Sequence, residues 1–158
     1  MITIPYADIQ RAAAALADGI EFVLGPDITA RLHGGHVYIY EGQLPVFHME
    51  AYTGEDLLQL EYPRTADEDL QRGWGKVGGA LALEYGLAKG CTRVKVVTLV
   101  EGTRAATSYW HMVRVQTTAR PIADVIADLN VGANLQVVPP AAPKGRARSS
   151  SFGGRRNN

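Results

Sequence analysis

The sequence predicts an α/β (α+β) domain in which a mixed, mainly antiparallel sheet is flanked by helices. Three observations carry this expectation. Between His33 and Tyr62, short β-rich runs alternate with glycine turns, as in a meander of hairpins. From Ala80 onward, a helical run rich in alanine and leucine stops at Gly90. It leads into RVKVVTLV, a β-branched stretch suited to the centre of a sheet. Two further segments, at Asp8–Ile20 and Pro121–Leu129, repeat apolar residues every three or four positions. Each helix needs one apolar stripe covered, and a sheet face covers it.

The elements follow in order. Met1–Pro5 reads as a short strand with Ile2 and Ile4 on one side. Ile9, Ala13, Leu16 and Ile20 then mark one face of a helix. Gly25-Pro26-Asp27 breaks the chain, with Asp27 placed to cap a short helical turn through Leu32. His33-Gly34-Gly35-His36 is a turn. Val37–Tyr40 and Pro45–Tyr52 form a hairpin, and Leu57–Tyr62 adds a third strand that Pro63 ends. Arg64–Leu70 is a polar, acidic loop. A glycine loop, Gly73–Gly79, precedes a helix from Ala80 to Lys89, with Gly90 as its stop signal. After the strand at Arg93–Val100 come a helix at Arg104–Met112, a possible strand at Val113–Gln116, the helix after Pro121, and a last strand at Leu135–Val138.

The chain has 158 residues, 46% of them apolar, enough for one core, so residues 1–138 are read as a single domain. No apolar run approaches the roughly 20 residues that cross a bilayer, so no membrane partner is expected. The N-terminus lacks a basic segment followed by an apolar core. Cys91 is the only cysteine, which excludes an internal disulfide. A reducing, cytoplasmic location is the expectation.

Residues 139–158 form a Pro/Gly/Ser/Arg-rich tail. It carries Lys144, Arg146, Arg148, Arg155 and Arg156 and no acidic residue, so the body holds eleven basic residues against sixteen acidic ones. Such a tail is either a solvated terminus or a contact to protein partners or nucleic acid. On a polyanion it would act through phosphate charge without sequence choice.

The glycine loop is the main candidate site. Glycines let successive backbone N–H groups converge on an anion, and the positive end of the following helix adds to the attraction. Arg72 and Lys76 supply charge beside Gly73, Gly75, Val77, Gly78 and Gly79. The same glycines also serve close helix–sheet packing. In this loop, the helix with Ala88 and Gly90, the strand Val94–Leu99, and Ala105 followed by Tyr109, the chain resembles the GNAT superfamily of acyl-CoA-dependent N-acetyltransferases. The likeness runs from about Val37 to Trp110.

That resemblance implies an enzyme that passes an acetyl group from acetyl-CoA to an amine, with the loop holding the CoA pyrophosphate. By matching position, Tyr109 is the acid that protonates the leaving thiolate. Glu61 is the base, acting through water, and Glu50 on the preceding strand is an equally available carboxylate. The resemblance equally admits a non-catalytic GNAT-like building block, such as a phage virion or internal core component, docking through its basic tail.

The remaining candidates point to little chemistry. His33 and His36 lie on a Gly-Gly turn without cysteine or carboxylate neighbours, so no metal site is expected. His48 and His111 read as edge or surface residues. Cys91 follows a helix end, where a thiolate is disfavoured, and reads as a packed residue. Tyr38 and Tyr40 share one strand face, which is read as core rather than a base-stacking platform.

Overall fold

The computed structural model describes residues 1–65, 72–97 and 118–140, and within these the chain forms nine strands and three helices. They are β1 (Ile2–Pro5), α1 (Tyr6–Ala17), β2 (Phe22–Gly25), β3 (Ile28–His33), β4 (His36–Glu41), β5 (Leu44–Gly54), β6 (Leu57–Thr65), α2 (Trp74–Ala88), β7 (Arg93–Val97), β8 (Arg120–Pro121), α3 (Ile122–Leu129) and β9 (Asn134–Val137). The expected helix at 104–112 with Tyr109, the strand at 113–116 and the basic residues of the tail lie outside the described residues.

Seven strands form one sheet in the order β2-β3-β4-β5-β6-β7-β8. Every neighbouring pair is antiparallel except β6 and β7, which run parallel through the crossover helix α2. An antiparallel meander, a crossover helix and a parallel strand make the GNAT-like mixed sheet expected from the sequence. β1 and β9 pair with each other as a separate ribbon, Ile2 opposite Val137 and Pro5 opposite Asn134.

Period-two alternation sets the two faces of the sheet. Val37, Ile39, Phe47, Met49, Ala51, Leu58, Leu60, Val94 and Val96 point into the core under α2. Two glycines let that helix approach closely. A Cβ at Gly78 would sit 2.3 Å from the Phe47 ring, and one at Gly86 would sit 2.6 Å from Leu58. Tyr6 closes the α1–α2 contact, its hydroxyl donating to Glu84 at 2.5 Å. Burial and that carboxylate hold the phenol far above its usual range.

Several sequence expectations are corrected. Residues 25–32 form a hairpin turn and β3, not a helical turn. Asp27 takes a left-handed conformation at φ 66°, and Ile28 and Ala30 alternate inward. α1 ends at Ala17, and Ile20 is exposed, because Gly19 at φ 76° turns the chain off the helix axis. Tyr38 and Tyr40 alternate with the buried Val37 and Ile39, so they lie on the sheet face away from the core.

β6 continues through Pro63 to Thr65 because the strand bulges there. Between Glu50 opposite Glu61 and His48 opposite Arg64, β5 moves two residues and β6 moves three. The extra residue therefore falls at Tyr62–Pro63, where a missing amide costs no ladder bond. The glycine loop is also reassigned. Gly73 is the N-cap of α2 at φ 109°, and Gly75–Gly79 are helical.

Beyond α2, Gly90 adopts φ 90° one residue past the C-cap, as its position in the sequence implies. The start of β7 is tied to the β5–β6 turn. Thr92 donates from both its N–H and its hydroxyl to the Asp56 carboxylate, and the amides of Thr92 and Arg93 reach the Asp56 carbonyl. The Thr92 hydroxyl is the chief reason that the Asp56 carboxyl lies below its ordinary range.

Candidate functional site

The parallel pair β6–β7 and its crossover helix form the one βαβ unit among the described residues. In such units the carboxyl ends of the strands and the amino end of the helix lie at the same end of the sheet, where anionic ligands are held. The described β6–β7 pairing runs from Leu57 opposite Arg93 to Glu61 opposite Val97. The β6 bulge begins at the next residue and redirects the strand. Glu61, paired with Val97, lies next to this bulge, and Gln59 donates to its Oε2 at 2.6 Å.

At the amino end of α2, the seven loop residues are used in different ways. The first helical bond runs from the Val77 N–H to the Gly73 carbonyl at 3.3 Å, and Gly78 and Gly79 are buried inside the helix. Their amides belong to the helix ladder. The amides of Trp74, Gly75 and Lys76 precede that ladder, and no side chain caps them. A Cβ at Gly75 would meet open space, and Lys76 is exposed on the same turn.

The other loop residues face inward. Arg72 is 6% exposed, and its guanidinium forks onto Glu41, Nη1 to Oε1 at 2.9 Å and Nη2 to Oε2 at 2.8 Å. Its Nε donates to the Val138 carbonyl at 2.7 Å, while the Val138 amide donates to the Arg72 carbonyl. The guanidinium also lies 5.6 Å from the ring centre of the fully buried Trp74. Gly73 is pressed against β9, where a Cβ would fall 2.7 Å from the Gln136 carbonyl oxygen. Three contacts therefore tie the start of α2 to the ends of β4 and β9.

Glu41, which falls in the expected turn between Tyr40 and Pro45, instead closes β4 with its carboxylate inward. The signal was present. Continuing the alternation of Val37 and Ile39 places Glu41 on the inward face, where a carboxylate needs a cation.

The sheet face away from the core holds a second cluster. Register places His33, His36, Glu50 and Glu61 in one row across β3, β4, β5 and β6. His36 Nδ1 and His48 Nε2 are hydrogen-bonded at 2.8 Å. Tyr38 packs on both, stacked on His36 at 22° and centred 4.7 Å from the His48 ring. Burial, then Tyr40 and Glu50, push the Tyr38 phenol upward. Arg31 lies 4.3 Å over the Tyr40 ring, and the Tyr52 hydroxyl donates to Glu50. His48 is therefore a packed residue of an interior strand rather than an edge histidine.

Cys91 is buried at 2% exposure. Burial first, then Asp56, push its thiol upward, which keeps it protonated and a poor nucleophile. No group of three or more His, Cys, Asp or Glu side chains among the described residues is arranged to hold a metal ion. No described helix is long and apolar enough to cross a membrane.

The described residues define an α+β domain with one parallel crossover, β6–α2–β7. Comparison with known proteins adds no relative: no family model, no curated protein and no solved structure matches the chain.

Proposed function

We propose that the chain is an N-acetyltransferase of the GNAT type, which passes an acetyl group from acetyl-CoA to an amine. The observation that carries this reading is the βαβ unit. Glu61 lies on β6 next to the strand's bulge, and α2 starts with an uncapped turn. The amides of Trp74, Gly75 and Lys76, with the Lys76 ammonium, would hold the pyrophosphate. Glu61 takes the proton of the attacking amine through water. The amine nitrogen bonds to the thioester carbonyl carbon, and the C–S bond breaks as Tyr109 protonates the leaving thiolate.

Calorimetric titration with acetyl-CoA tests this. Saturable binding that Gly75→Asp abolishes, in a variant that keeps its fold, is the expected result. An isotherm flat to millimolar acetyl-CoA sinks the reading.

A second reading is favoured by a specific observation, the inward commitment of Arg72 and Gly73 to Glu41, Val138 and Gln136. On that reading the start of α2 is a structural joint. The chain is then a non-catalytic GNAT-like building block, docking to neighbours or DNA through Lys144, Arg146, Arg148, Arg155 and Arg156. Salt-sensitive DNA binding that disappears when residues 139–158 are removed, with no acetyl-CoA binding, would select it.

A further inference from the structure

We propose that β2 is the docking edge for this chain's own basic tail, which adds residues 144–148 to the sheet as an antiparallel strand. The inference is independent of the acetyltransferase reading, and the docking segment lies outside the described residues. β2 is the first of the seven strands, paired with β3 on one side. No backbone hydrogen bond among the described residues reaches its other side. Such an edge can take one more strand through its unmade ladder bonds. The edge is also apolar, with Val23 69% exposed and nearby Ile20 59% exposed.

Charge and spacing name the occupant. Residues 12–30 include Asp18, Glu21 and Asp27, all exposed, and no lysine or arginine. Arg31 reaches Glu21 Oε2 at 3.2 Å, and no described cation pairs with Asp18 or Asp27. In the tail, Lys144, Arg146 and Arg148 alternate with Gly145 and Ala147. Extended, that segment puts three cations on one face and only small groups on the other. On β2, Phe22 and Leu24 turn toward the core, so alternation turns Val23 and the preceding Glu21 away from it. The path is short. Val138 is tied to Arg72, Arg72 holds Glu41, Glu41 lies opposite Ile28, and Ile28 lies opposite Gly25. Glu41 and Gly25 are thus two strand spacings apart, roughly 10 Å. The stretch from Pro139 to Lys144 spans up to about 20 Å. Entering at Gly25 and running antiparallel, the tail sets Lys144 near Asp27, Arg146 opposite Val23 and Arg148 opposite Glu21. The Arg146 stem then covers Val23.

The test is amide hydrogen exchange of the full chain at low salt, read by NMR at the β2 amides that face away from β3. The triple change Lys144→Glu, Arg146→Glu, Arg148→Glu should speed exchange there by at least about fivefold, the upper worth of one exposed ion pair. Equal rates in parent and variant overturn the proposal. Glu21→Lys and Arg148→Glu should each loosen the edge, and the two together should restore protection by remaking the pair with its charges swapped. A double variant as loose as the singles also overturns it. Protection that rises with protein concentration, together with a dimer in light scattering, would assign the added strand to a second copy and overturn docking within one chain.

Discussion

Arg72 and Glu41 are joined by a two-pronged ion pair, buried on both sides, that links the residue before the N-cap of the crossover helix to the end of β4. A buried pair draws little net stability from its existence but much from its completeness, because either charge left alone is stranded away from water. Arg72→Ala or Glu41→Ala should each cost about 3–5 kcal/mol in urea unfolding. The double change Arg72→Met with Glu41→Leu should recover most of the loss, and non-recovery would show that the Val138 contact dominates.

The glycines of α2 should separate by position. Gly78→Ala forces a methyl group into the Phe47 ring, and overpacking of this kind costs about 1–3 kcal/mol. Gly75→Ala meets open space and should stabilise the helix by up to about 1 kcal/mol. Denaturation midpoints of the two variants check the opposite signs.

Acid should release the brace at Asp56. Its carboxyl is held low, chiefly by the Thr92 hydroxyl, so the stabilisation is present above the ordinary carboxylate range. It is lost as pH falls through the lowered folded value. Thr92→Val removes that hydrogen bond. The urea midpoint of the variant should therefore fall less than that of the parent between about pH 5 and about pH 2.

The Cys91 thiol, buried and pushed upward, should resist alkylation. At about pH 8 its reaction with iodoacetamide in the folded protein should be at least about tenfold slower than in urea. Equal rates would mean that the end of α2 opens readily.

If the acetyltransferase reading holds, Glu61→Gln should lower kcat by about 10²–10⁴-fold with acetyl-CoA affinity kept, because proton transfer is lost and the nucleotide end is untouched. Unchanged turnover would move the base to Glu50.

The parts of this fold that were legible in the sequence are those where local signals agree. The Gly34-Gly35 turn, the hairpin around Gly42 and the Gly90 stop need positive φ, which marks them directly. The element from 28 to 33 was misread because Asp27 is equally a helix cap and a left-handed turn residue; pairing with β4 decides between the two. The glycine run was misread for a related reason. Gly78 and Gly86 are small because Phe47 and Leu58 come close, and those partners are distant in sequence. The Arg72–Glu41 pair spans 31 positions and the His36–His48 pair spans 12, so both depend on strand register that composition does not carry.

The ribbon of β1 and β9 joins residues 133 positions apart, as in the Thr3–Gln136 bond. During synthesis the leading strand must therefore wait, with its ladder unmade, until Gln136 has left the ribosome. A ribosome stalled before that point would hold α1 and the meander without this fastening.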